Sequence, residues 1–75
     1  MTNERRIKMQ YILNLLLLAI RETRAGDDVK ALRYDADREL VYVDFESGKN
    51  GRVINVAFDS GWAMIKDVVN HIDIG

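Results

Sequence analysis

Between Met9 and Ile20 the chain reads MQYILNLLLLAI, and no single face of a helix can hold all of it. At about 100° per residue, Met9, Ile12, Leu13, Leu16 and Ile20 fall on one stripe. Ile7, Tyr11, Leu15 and Leu18 fall on nearly the opposite side, beside Asn14. A surface helix carries one apolar stripe, and one that is apolar almost all round needs two partners. One partner can be the domain's own core. The second is best sought in another chain.

Size points the same way. Seventy-five residues make one small domain, read as spanning 1–75. Such a domain buries only about 60% of its unfolded surface and is marginal alone. With no cysteine and one histidine, the chain has no disulfide staple and no thiolate metal site. Zinc would have to rely on carboxylates, so neither a metal nor another cofactor is expected. Oligomerisation is the remaining device for a small scaffold. The lack of cysteine fits a reducing compartment, and the expected location is cytoplasmic.

The net charge is −1, from 11 basic and 12 acidic residues. Whole-chain electrostatics therefore advertise neither a nucleic acid nor a membrane surface. A 48% hydrophobic content marks a folded chain rather than a disordered one. Arg5, Arg6 and Lys8 precede the apolar run from Tyr11 to Ile20, as in a secretory leader. The run ends in Arg21-Glu22-Thr23-Arg24 without a small-residue cleavage site, and Asn14 interrupts it. The expectation is that this segment stays in the fold. It is also far short of the roughly 20 apolar residues that span a bilayer.

The first helix is predicted from Thr2 or Asn3, either a plausible N-cap, to about Ala25. Gly26 is its stop, and Arg21 and Arg24 suit the negative end of its dipole. From Val29 the period changes to two. Leu32 and Tyr34 alternate with Ala31 and Arg33. Leu40 to Glu46 places Val41, Val43 and Phe45 on one side. Arg52 to Phe58 places Ile54, Val56 and Phe58 inside. These are three half-buried strands. Asn50-Gly51 is a strong two-residue hairpin signal. It predicts Phe45 opposite Val56 and Val43 opposite Phe58. A turn at Asp37-Arg38 predicts Tyr34 opposite Val41 and Leu32 opposite Val43. A second helix follows Asp59-Ser60-Gly61, capped by Asp59 or Ser60. Its predicted inner stripe is Trp62, Ile65, Val68, Val69 and Ile72, with Ala63, Lys66, Asp67 and Asn70 outside. The expected fold is α+β, in the order α-β-β-β-α. A three-stranded antiparallel meander carries both helices on one face.

Few residues suggest chemistry. Asp35, Asp37 and Glu39, with Glu46 further on, mimic the spacing of a calcium loop, but Leu40 stands where the sharp turn needs glycine. The expectation is a solvated acidic turn. Lys49 and Arg52 flank the second hairpin tip, and Arg5, Arg6 and Lys8 form another cluster. Both are candidate contacts for a protein partner or a nucleic acid. The element order matches that of the double-stranded-RNA-binding domain, whose last helix begins with phosphate-binding lysines. Here that helix begins Asp59-Ser60-Gly61-Trp62 and carries only Lys66, so the match stops at topology. His71 has no neighbouring nucleophile. Gly48 and Gly51 bracket a turn and not a phosphate cradle. Trp62 shares the stripe of Ile65 and Val69 and is read as a core anchor, the alternative being an exposed contact for a partner. The outer sheet face, with Leu40, Tyr42, Val53 and Ala57, is half apolar. Arg33 is expected to cover Tyr42.

The expected function is a non-enzymatic interaction module, a small regulator or accessory subunit. It would act as a homodimer through Ile7, Tyr11, Asn14, Leu15 and Leu18. Asn14 would set the register of the seam. An enzyme is not expected, because no acid, base and nucleophile can be placed together. The first rival is a nucleic-acid-binding dimer using Arg5, Arg6, Lys8, Lys49 and Arg52. The second is a membrane-surface anchor through the first helix.

Overall fold

The computed structural model describes residues 3–72, and the element order is α-β-β-β-α. Helix α1 spans Asn3–Ile20, strands β1, β2 and β3 span Val29–Asp35, Leu40–Phe45 and Arg52–Asn55, and helix α2 spans Gly61–Ile72. The strands form one antiparallel sheet in the order β1-β2-β3. One core draws on every element, with Met9 and Leu13 from α1, Leu32, Val43 and Ile54 from the sheet, and Met64 and Val68 from α2. The α+β meander is as expected.

Helix α1 stops five residues before Ala25, and the cause is local. The Thr23 hydroxyl donates to the Ile20 carbonyl at 2.6 Å, and the Gly26 amide donates to that hydroxyl at 3.0 Å. A side chain here takes the carbonyl that another helical turn would need. Gly26 is then packed so close to the Ile20 carbonyl that a Cβ has no room. The expected cap at Thr2 lies outside the described residues.

In the first hairpin, Leu32 faces Val43 and Tyr34 faces Val41, as the Asp37-Arg38 turn requires. Asp35 Oδ1 accepts the amides of Asp37 and Arg38 at 3.0 and 3.2 Å, an Asx turn. A bulge between Val29 and Ala31 resets the alternation and puts Val29 inside with Leu32, three residues away.

The second hairpin differs from expectation. Val43 faces Arg52 and Val41 faces Ile54, a slip of six residues from the Asn50-Gly51 register. Six is even, so each strand keeps its inner face. The end of β2 is held from the β1 side. The Glu46 amide donates to the Asp28 carbonyl at 2.7 Å, and the Ser47 amide and hydroxyl donate to the Asp28 carboxylate at 2.9 and 2.6 Å. Residues 46 and 47 are thus bonded on the β1 side, and the pairing of β2 with β3 runs only from Leu40 to Val43. Gly48, at φ 84°, turns the chain away, and Gly51 passes Val43 where a Cβ would lie 2.6 Å from its carbonyl oxygen.

Two aromatic placements are corrected. Phe58, expected inside, is 99% exposed, because a φ of 68° ends the strand alternation after Val56. Trp62, expected in the core, is 70% exposed. The buried stripe of α2 is Met64, Val68 and Ile72, with Ile65 and Val69 at its margin. Ser60 caps this helix, its Oγ accepting the Ala63 amide at 3.1 Å, while the packing of Met64, Val68 and Ile72 leaves Trp62 outside.

Candidate interaction surface

The two stripes of α1 separate as their spacing demands. Met9, Leu13 and Ile20 are buried, and Ile12, Leu16 and Leu17 pack against them. Ile7, Tyr11, Leu15 and Leu18 are 64%, 62%, 50% and 70% exposed. Asn14 is exposed among them, and its Oδ1 accepts Gln10 Nε2 at 2.9 Å. Surface apolar residues are ordinary when scattered, but a row on one helix face is a contiguous patch. Trp62, at the start of α2, is exposed as well. Its neighbour Gly61 abuts Ile12, where a Cβ would lie 2.7 Å from the Ile12 Cδ1.

One edge of the patch is tied to the sheet. Gln10 Nε2 donates to the Leu32 carbonyl at 2.9 Å, and the Tyr34 amide donates to Gln10 Oε1 at 2.9 Å. The side-chain amide thus satisfies two backbone groups on the free edge of β1, as a neighbouring strand would. Sequence reasoning passed over Gln10. Its signal is weak: a polar residue beside the core positions Met9 and Leu13.

The basic residues do not come together. Arg5 Nε lies 3.3 Å from Glu39 Oε1, and its guanidinium donates to the Asp59 carbonyl at 3.2 Å. This puts the start of α1 at the beginning of β2. Lys49 Nζ sits 4.3 Å from the Phe45 ring centroid, at the end of β2. Arg6, Lys8 and Arg52 are exposed. The length of β2, roughly 17 Å, therefore separates the two clusters within one protomer.

The acidic residues are committed locally. Asp35 caps its turn and Glu39 pairs with Arg5. On the outer sheet face Arg33 is bidentate to Asp44, at 2.8 and 3.2 Å, and lies 5.1 Å over the Tyr42 ring, as expected. Two open hollows of about 350 and 380 Å³ share Arg6 and Tyr34, beside Gln10. His71 is exposed, with Nδ1 2.8 Å from the Asp67 carbonyl.

One carboxyl pair is perturbed. Asp59 Oδ2 is buried without a hydrogen-bond partner. The Asp67 carboxylate is its neighbour, and two ionised carboxylates have no proton to share. Protonated Asp59 can donate to Asp67. That bond, then burial, then repulsion from Asp67 push the Asp59 carboxyl up to about 6, against the opposing charge of Arg5.

Among the described residues, no helix is long and apolar enough to cross a membrane, and no cluster of three or more metal-ligating side chains is present. No protein-family model matches the chain, and no curated protein or solved structure matches it either.

Proposed function

We propose that the protein is a non-enzymatic interaction module, a small regulatory or accessory protein of the cytoplasm, acting as a homodimer through α1. The observation that carries this reading is the exposed row Ile7, Tyr11, Leu15 and Leu18 on a helix whose opposite side fills the core. Each side chain is 50–70% exposed, so covering it is worth roughly 1–2 kcal/mol. Two copies together offer about 8–16 kcal/mol, against an association cost of about 4–15 kcal/mol. The two ranges overlap, so covered area alone does not set the affinity, and a dilution series measures it. The absence of cysteine supports the compartment.

The nucleic-acid reading has less support. Arg5 is engaged with Glu39 and Asp59, Lys49 lies on Phe45, and the two clusters sit at opposite ends of β2.

Light scattering across a dilution series tests the proposal. The expected result is a dimer mass that falls toward the monomer at low concentration. The Leu15→Glu/Leu18→Glu variant should be monomeric, with an unchanged far-ultraviolet circular dichroism spectrum. Wild-type protein that stays monomeric at the highest attainable concentration would falsify the homodimer.

A further inference from the structure

We infer that the two α1 helices pack antiparallel, about a twofold axis passing between Tyr11 and Asn14; this pairing rests on the dimer reading above. Glu4, Ile7, Tyr11, Asn14, Leu15 and Leu18 recur at spacings of three and four and share one face. Opposite charges bracket that face. Glu4 is exposed in the first turn. Arg21 is exposed just past the last turn, with its amide still donating to the Leu17 carbonyl at 3.1 Å. Its own acidic neighbour is loosely held, at 3.8 Å from Glu46.

An antiparallel pair can be centred so that residues whose numbers sum to about 25 face each other. Ile7 then packs on Leu18 of the second copy, and Glu4 meets Arg21 at both ends of the seam. Tyr11 meets Asn14. Asn14 Oδ1 is already bonded to Gln10, which leaves its NH2 group to donate to the Tyr11 hydroxyl across the seam. A parallel pair would set Glu4 on Glu4 and Arg21 on Arg21, and would align the two helix dipoles side by side. Symmetry requires the same patch on both copies, and this patch is complementary to itself only when reversed.

The chain has no cysteine, so disulfide capture reads the orientation without background. In the antiparallel seam the two copies of position 7 lie about 16 Å apart, too far for a disulfide. Under mild oxidation, Ile7→Cys alone and Leu18→Cys alone should give no covalent dimer. Mixing the two should give the mixed disulfide. Glu4→Lys and Arg21→Glu should each weaken dimerisation, roughly three- to tenfold, and the double exchange Glu4→Lys/Arg21→Glu should restore it. A wild-type dimer whose single cysteine variants each cross-link with themselves overturns the antiparallel seam and leaves the homodimer standing. A monomeric wild-type protein removes both.

Discussion

Leu32 and Tyr34 present a carbonyl and an amide on the side of β1 away from β2, and the Gln10 amide meets both. An unpaired backbone group that is shielded from water costs about 1–3 kcal/mol. Gln10→Leu keeps the size and removes both bonds, so unfolding stability should fall by about 1–2 kcal/mol. Chemical denaturation measures it, and an unchanged midpoint would discard the clamp. Phe58 is the opposite kind of residue. It is 99% exposed and held at a φ of 68°, a conformation that costs an ordinary side chain about 1–2 kcal/mol. Asparagine tolerates that conformation. Phe58→Asn should therefore keep or raise the melting temperature, whereas a core phenylalanine would lose several kcal/mol. A large loss would return Phe58 to the core.

At the scale of elements, the ends of the helices decide the fold's joints. Gly26 lies buried against the Ile20 carbonyl, and Gly26→Ala should destabilise by more than about 1 kcal/mol, read as a lower denaturation midpoint. An unaffected midpoint would mean that the helix end adjusts freely. The start of α2 carries a pH dependence. The folded-state pKa of Asp59, about 6, lies above the ordinary 3.8. The folded protein therefore binds this proton more tightly than the unfolded chain. The stabilisation is fully present below about pH 4 and is lost as pH rises through about 6. Relative to Asp67→Asn, the wild type should lose melting temperature between pH 4.5 and 7. Parallel profiles for the two proteins would exclude the pair as the cause.

For the whole molecule, the proposed homodimer would link stability to assembly. A ligand or copy that binds only the folded state raises apparent stability by mass action. The melting temperature should therefore rise with protein concentration, and Leu15→Glu/Leu18→Glu should abolish that dependence. A melting temperature independent of concentration in the wild type would separate folding from association. The sheet has two free edges, treated differently. Gln10 occupies the middle of the β1 edge, while β3 is kept to four residues, and a short edge strand is a poor template for pairing with other chains.

Residue type and spacing alone determined the two stripes of α1, the three strands, the first hairpin's register and a cap for α2 at Asp59 or Ser60, of which the structure uses Ser60. Each follows from periods of 3.6 and 2.0 or from chemistry within a few residues. The tertiary structure decided what depends on distant partners. Asp28 holds Ser47 across a separation of 19 residues and moves the second hairpin off its Asn50-Gly51 register. Gln10 reaches Leu32 across 22 residues, which helical spacing cannot reveal. Trp62 shares a helix stripe with Ile65 and Val69, but the packing of α2 centres on Met64, Val68 and Ile72 instead. An amphipathic pattern fixes the existence of an inner face, while the rotation of that face about the helix axis depends on the surfaces it meets.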